Sequence, residues 1–206
     1  MKNNYHVLSL FPSPLVSTIV EEDTDGLNRH KVFVTSTYDD SSECTENIDF
    51  DNRHNVLVYY PQIKNILLNK FKEYCNDRLY YNNDFRITTS WITNTEKGAL
   101  SQLHIHKNSF YSGVYYFQDD YPEDSAPLEF NSPLVQLSDY LLIPEKYEVI
   151  NSHSWRIFPR PKLLIFFPSY LNHQVLLHNI DKSRRSLAFN IIPIGKYGME
   201  DSLHMD

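Results

Sequence analysis

Two histidines near the middle of the chain have the type and spacing of metal ligands. His104 and His106 lie in a segment, 103–107, that the pattern predicts to be a β-strand, followed by a second predicted strand at Ser112–Phe117. Side chains two residues apart on a strand project from the same face, so both imidazoles can reach one ion. Imidazole binds iron(II) well, and an ion held from one side keeps its other positions open for substrate and oxygen.

A third ligand has to come from another part of the chain, and His173 is the candidate. It follows the apolar run 163–167, which reads as a buried strand, and a turn at Pro168 and Ser169. The predicted chemistry is therefore that of a metal site assembled from separate strands.

Arg184 and Ser186 add a second kind of chemistry. They share one strand face and follow His173 by 184 − 173 = 11 residues, enough for a turn and an antiparallel return that would set this face beside the His173 strand. A guanidinium with a nearby hydroxyl, directed into a barrel, is suited to clamp a carboxylate because paired charge-assisted bonds compensate for burying the arginine. Arg185 alternates onto the opposite face, so the site can take one of the two arginines, and we assign Arg184.

Several blocks of the sequence carry a family resemblance. The chain resembles the small 2-oxoglutarate and Fe(II)-dependent oxygenases found in bacteria and their phages, and the resemblance spans most of its length. Its most specific parts are HxH with the following SGVYY, and FPS-x-L-x-H. The blocks are LFPSP (10–14), SWITN (90–94), HIHKNSFYSGVYYF (104–117), PLEF (127–130), FFPSYLNHQV (166–175) and RRSLAFN (184–190).

The resemblance implies a mainly β fold, a double-stranded β-helix or jelly roll with a cupin-like barrel, that binds iron between its sheets. It implies a dioxygenase that uses 2-oxoglutarate and O₂ to hydroxylate a C–H bond, releasing succinate and CO₂. By the family pattern His104 and His173 correspond to two metal histidines, and Arg184 with Ser186 to the pair that holds the distal carboxylate of 2-oxoglutarate. The predicted site has His104, His106 and His173 as metal ligands and catalytic centre, and Arg184, Ser186 and Tyr116 as residues that bind the cosubstrate.

His106 departs from the pattern, because the wider superfamily has Asp or Glu at this position. Three interpretations follow: His106 is a ligand in a neutral three-histidine site, it supports the ligands from behind, or it is the first ligand and Asn108 takes the next position. We prefer the first, since neutral imidazole binds iron and the strand parity is right. Tyr115 and Tyr116 also fit core packing, and the sequence leaves open which of them faces the site.

Other functions fit parts of the same pattern. A cupin-like metal dioxygenase or isomerase would use the three histidines without 2-oxoglutarate, but no glutamate follows His106 closely and Arg184 would lose its role. A non-enzymatic jelly-roll binding module is the second alternative, because this fold hosts many functions, and it would leave the histidines unexplained. A purely structural interpretation is also open: His104 and His106 are hydrogen-bonded within a strand, and Arg184 and Arg185 are solvated charges on an edge strand.

Length and composition fit a single domain over residues 1–206. The chain is 41% hydrophobic and 14% aromatic with only 5 glycines, which favours packed strands over a glycine-rich nucleotide-binding architecture. One helix is predicted at 61–77 from apolar residues spaced three and four apart, packed on the outer face of the larger sheet. An acidic loop is predicted at 39–51. The segments 118–126 and 132–149 are predicted to connect strands near the metal, and each fits either a substrate lid or a plain surface loop.

Charge and cysteine content limit the partners. Cys44 and Cys75, without an apolar N-terminal stretch or membrane span, favour a reducing, cytoplasmic location. A net charge of −7 argues against broad nucleic-acid binding, which depends on neutralising phosphates. The expected partners are the small molecules 2-oxoglutarate and O₂, and no motif identifies the primary substrate or the oligomeric state.

Overall fold

A computed structural model describes residues 11–31, 34–35, 53–134, 142–199, 201 and 203–205. The predicted acidic loop at 39–51 and Cys44 lie outside these residues, as does part of the segment 132–149. The bounds of the strands, in chain order, are β1 Val16–Ile19, β2 Val34–Thr35, β3 Asp84–Thr95, β4 Ser101–His104, β5 Tyr111–Tyr115, β6 Leu128–Asn131, β7 Ser154–Ile157, β8 Leu163–Pro168, β9 His173–Val175, β10 Arg184–Ile194, β11 Lys196–Tyr197 and β12 His204–Met205.

The strands form two sheets with a short additional hairpin. The larger sheet has the order β1-β8-β5-β10-β3-β2, and the smaller sheet has the order β4-β9-β6-β7. All neighbours are antiparallel except β2 and β3. Strands distant in the sequence are therefore adjacent in space, and the fold is the mainly β jelly roll that the sequence predicts.

The inner faces of the two sheets pack against each other. Alternation along β5 and β8 directs every second side chain inward, and these residues meet apolar side chains of β6 and β9. This inner cluster consists of Val114, Tyr116, Ala126, Leu128, Phe130, Leu163, Ile165, Phe167, Leu171 and Val175. It closes one side of the space between the sheets.

Helix α1, Pro61–Tyr74, covers the outer face of the larger sheet as predicted. Proline at its start is compatible with a helix because the first N–H groups have no partner within the helix. The ring of Phe71 lies 5.0 Å from that of Phe85 and 5.2 Å from those of Tyr111 and Phe166, which anchors the helix on the sheet. The helix is shorter than the predicted 61–77, because a single π-helical turn at 75–79 replaces its last residues.

The strand predicted at 103–107 ends earlier, at His104. Lys107 and Asn108 form a turn in which Asn108 has a φ of 58°, and the backbone N–H of His106 donates to Ser169 O at 3.0 Å instead of to a neighbouring strand. The prediction that His104 and His106 share a strand face was therefore wrong. His106 reaches the same place from the loop that follows β4.

The predicted pairing of the Arg184 and His173 strands was also wrong. β10 pairs with β3 and β5 in the larger sheet, whereas β9 pairs with β4 and β6 in the smaller one. The connection at 176–183 crosses from one sheet to the other. Arg184 and His173 consequently line the same cavity from opposite sheets.

No helix among the described residues combines the length and the apolar character that crossing a membrane would require.

Candidate metal and anion site

Three histidine side chains converge between the sheets. His104 lies at the end of β4, directly opposite His173 at the start of β9, and His106 approaches from the following loop. One nitrogen from each ring lies within 4.8 Å of the other two, a spacing that could hold a metal ion. The ring centroids are 4.3 Å apart for His104 and His173, and each lies 5.0 Å from that of His106.

Hydrogen bonds fix two of the rings in the tautomer that a metal needs. Nδ1 of His104 lies 2.7 Å from Gln102 O, and Nδ1 of His173 lies 2.8 Å from Leu171 O. A carbonyl oxygen only accepts, so each Nδ1 carries the proton and donates. The Nε2 lone pair of each ring is then free to bind a cation, as in most protein sites where histidine binds a metal.

Burial lowers the pKa of two of the imidazoles, those of His106 and His173. It lowers the pKa of His106 to about 4, with the nearby His104 ring as a second cause. Burial also lowers the pKa of His173 to about 3, again with His104 adding to the effect. At neutral pH both rings present lone pairs instead of protons. A group of three imidazoles fits iron(II) and other divalent transition metals.

A cavity of about 80 Å³ extends from the histidines toward Arg184 and Ser186 on β10. Arg184 is only 1% exposed. Its Nη2 donates to the Tyr116 hydroxyl at 2.9 Å, and its Nη1 lies 3.5 Å from Ser186 Oγ. Its Nε has no acceptor, and no carboxylate among the described residues forms an ion pair with it.

A buried guanidinium without a counter-charge is costly, so the Arg184 end of the cavity, the candidate anion site, could hold an anion. The strand parity agrees with the assignment of Arg184 over Arg185, which lies on the other face of β10 and donates to His30 O at 2.7 Å. Tyr116 likewise faces the interior. The hydroxyl of Tyr115 instead lies 2.6 Å from that of Thr24. The structure thus places Tyr116, and not Tyr115, beside the anion site.

Two further residues on the inner face of the larger sheet escaped the sequence interpretation. Thr95 on β3 lies opposite Arg184 in the antiparallel register, is fully buried, and has a hydroxyl without a hydrogen-bond partner in the described structure. Trp91 lines the cavity with its ring 5.5 Å from that of His106. Alternation along β3 places both on one face, but only the pairing of β3 with β10 identifies that face as the inner one.

The part of the chain that carries the site matches a known family. Residues 89–190 match the family model described as "Putative 2OG-Fe(II) oxygenase", and this span includes every residue of the predicted site. A search of curated proteins finds no match.

Solved structures with a similar fold share little sequence with this chain. HygX from Streptomyces hygroscopicus with nickel, 2-oxoglutarate and hygromycin B bound is 11% identical, with a TM-score of 0.53 over 88% of this chain and 83% of that chain. A prolyl-4-hydroxylase from Pseudomonas putida is 19% identical, with a TM-score of 0.41 over 60% of each chain. An oxidoreductase of the 2OG-Fe(II) oxygenase family from Burkholderia pseudomallei is 12% identical, with a TM-score of 0.44 over 58% of this chain and 48% of that chain. This chain therefore spans less than two thirds of the length of the last two proteins.

Proposed function

We propose that the chain, of which residues 89–190 match the 2OG-Fe(II) oxygenase family, hydroxylates a C–H bond of an organic substrate while converting 2-oxoglutarate to succinate and CO₂. The observation that carries the proposal is the pairing of two complementary sites in one cavity. At one end three imidazoles can hold a cation. At the other end the buried guanidinium of Arg184 has no carboxylate partner in the described structure.

In this proposal His104, His106 and His173 hold iron(II). Bound there together with 2-oxoglutarate, the metal supplies the activation of O₂ that oxidises the substrate. The histidines contribute three imidazole nitrogens on one side and leave the remaining positions to small molecules. The carbonyl oxygens of Gln102 and Leu171 keep two of the rings correctly oriented.

Arg184 and its neighbours bind the distal carboxylate of 2-oxoglutarate. The guanidinium supplies directed N–H donors, and the nearby hydroxyls are those of Ser186 on the same strand and Thr95 on the paired strand. Tyr116 holds Nη2 of Arg184 from behind at 2.9 Å, which keeps the guanidinium in place for its ligand. The unpaired polar atoms at this end of the cavity are the reason to expect a ligand that is charged and oxygen-rich.

The test is succinate production by purified protein with iron(II), 2-oxoglutarate, ascorbate and O₂. We expect slow turnover without a primary substrate, abolished in His173→Ala because one of three ligands is lost. Arg184→Lys should weaken 2-oxoglutarate binding by about 10- to 100-fold, since lysine keeps the charge and loses the planar fork. Arg185→Lys is the matched control, because this neighbouring arginine faces away from the cavity, and it should retain activity.

The alternatives predict different outcomes of the same experiment. Metal binding that depends on His104, His106 and His173 without any affinity for 2-oxoglutarate would favour a cupin-like enzyme. Absence of metal binding would favour a jelly-roll binding module. Against the cupin-like function stands Arg184, whose buried charge would remain without a partner in the described structure.

Three broader proposals accompany this function. We propose a single domain over 1–206, supported by two apolar clusters that share the larger sheet. A cytoplasmic location is supported by the free, buried thiol of Cys75. The absence of a nucleic-acid partner is supported by the net charge of −7.

A further inference from the structure

Four polar residues from the family-like sequence blocks form one hydrogen-bonded network behind the histidines. Ser169 Oγ lies 3.0 Å from Ser109 Oγ and 2.8 Å from Ser112 Oγ. Ser112 Oγ in turn lies 2.8 Å from the side-chain amide of Asn190, which reaches Thr89 at 3.0 Å. Ser169 and Ser112 are 1% and 2% exposed. The network is therefore buried, and the proposed roles of the metal and anion sites do not explain it.

The backbone of Ser169 joins the same structure to His106. Ser169 O accepts the N–H of His106 at 3.0 Å, and the N–H of Ser169 donates to Phe110 O at 3.1 Å. The β8–β9 corner that contains Ser169 continues through Leu171, whose carbonyl orients the His173 ring. This short corner therefore contacts two of the histidines. Its Ser169 carbonyl accepts the backbone N–H of His106, and its Leu171 carbonyl accepts from the ring of His173.

His106 depends on this support more than the other two histidines do. His104 and His173 are paired with each other across β4 and β9, and each ring donates to a backbone carbonyl. His106 lies beyond the end of β4, and its ring makes no such bond within the described structure. Its position is set by the backbone bond to Ser169 O and by the turn that returns to β5.

We infer that Ser169 is a positioning residue for the metal site. Its hydroxyl, held by Ser109 and Ser112, fixes the corner whose carbonyl oxygen keeps His106 against His104 and His173. The inference rests on the proposed function, because it assumes that these histidines bind a metal. It assigns to the serines of the SGVYY and FPS blocks a role in positioning His106.

The experiment measures cobalt(II) affinity of the full chain by titration of the visible absorption bands. Ser169→Ala should weaken binding by about 10- to 100-fold, the usual cost of removing a group that supports a metal ligand. Ser125→Ala is the matched control: Ser125 is also 1% exposed, but its hydroxyl has no partner in the described structure, so cobalt affinity should not change. Ser109→Ala removes one of the two hydroxyls that hold the Ser169 hydroxyl, together with the Ser109 bonds to the carbonyls of Tyr111 and Ile191, and should give a smaller loss in the same direction.

A double-mutant cycle separates positioning from general destabilisation. If Ser169 acts through His106, Ser169→Ala should weaken cobalt binding in the parent protein and have almost no further effect in His106→Ala. Equal losses in both backgrounds, or unchanged cobalt affinity in Ser169→Ala, would overturn the inference and leave the proposed function intact. A parent protein that does not bind cobalt or iron would overturn both.

Discussion

At the scale of single residues, Arg184 and Thr95 carry polar atoms for which the described structure provides no partners. Arg184 Nε and Thr95 Oγ1 are both buried without a hydrogen bond, and the two residues lie opposite each other on β10 and β3. Buried polar atoms in folded proteins are nearly always paired, and an unpaired one costs about 1–3 kcal/mol. Both residues lie on the inner face of the larger sheet, where a ligand at the candidate anion site could complete their hydrogen bonding.

Thr95→Val tests this directly, because valine has the shape of threonine without the hydroxyl. We expect the affinity for 2-oxoglutarate to fall by about fivefold, equivalent to about 1 kcal/mol for one hydrogen bond. The ligand-free protein should be as stable as the parent or more stable, since the change removes an unpaired buried hydroxyl. Calorimetric titration of the nickel-loaded protein and urea unfolding measure the two effects. Unchanged affinity for 2-oxoglutarate would exclude Thr95 from the anion site.

At the scale of elements, Gly113 on β5 leaves room for the ring of Phe189 from the neighbouring strand β10. A Cβ atom built at Gly113 would lie 2.3 Å from Cζ of Phe189 on β10, a distance that real contacts do not reach. Gly113→Ala should therefore force the Phe189 ring to move and destabilise the protein by about 1–3 kcal/mol in urea unfolding. Adding Phe189→Leu should recover part of this loss, because it removes the atoms that clash.

Gly98→Ala is the control for that rescue. Gly98 has a φ of 83° and nothing within 4 Å of its Cβ position, so alanine is strained there by the backbone and not by a neighbour. Phe189→Leu should leave the loss in Gly98→Ala unchanged. If Phe189→Leu fails to reduce the cost of Gly113→Ala, contact with the Phe189 ring is not the reason for glycine in the SGVYY block.

The end of helix α1 is tested by the reactivity of Cys75, the first residue after the helix. Burial raises the pKa of its thiol to about 12. The thiolate is the reactive form, so at pH 8 only about one molecule in 10⁴ is ionised in the folded state. Iodoacetamide should therefore leave Cys75 unmodified in native protein and alkylate it in urea, as read by peptide mass spectrometry. Rapid alkylation without urea would show that this end of the helix opens in the native state.

The elements show which parts of the fold a single sequence can predict. Period-two alternation correctly separated Arg184 from Arg185, and spacing of three and four located the helix, because both are local properties of the chain. The end of β4 at His104 depends on the backbone bond from His106 to Ser169, which is distant in sequence. The position of Thr95 opposite Arg184 likewise depends on which strand pairs with β3, and the sequence of β3 alone does not show this.

At the scale of the whole molecule, the larger sheet divides structural and chemical roles between its faces. Its outer face and helix α1 form an apolar cluster in which Phe71, Leu187 and Phe189 are fully buried. Its inner face carries Arg184 and Ser186 toward the smaller sheet and the histidines. Because side chains alternate along β10, this strand contributes residues to both faces of the larger sheet. Residues such as Leu187 separate the proposed site from helix α1.

Ligands that bind at the inner face of the larger sheet should stabilise the whole folded chain. A ligand that binds only the folded state at 100 times its Kd adds about 2.7 kcal/mol, which for a protein of this length raises Tm by roughly 5–10 °C. Nickel(II), which should occupy the histidine site without supporting turnover, is expected to raise Tm, and 2-oxoglutarate should raise it further. Arg184→Lys should keep the nickel shift and lose most of the additional one, whereas Arg185→Lys keeps both because its guanidinium bonds to the backbone of 28–30 on the other face. An undiminished 2-oxoglutarate shift in Arg184→Lys, measured by calorimetry, would place the cosubstrate away from Arg184 and contradict the proposed anion site.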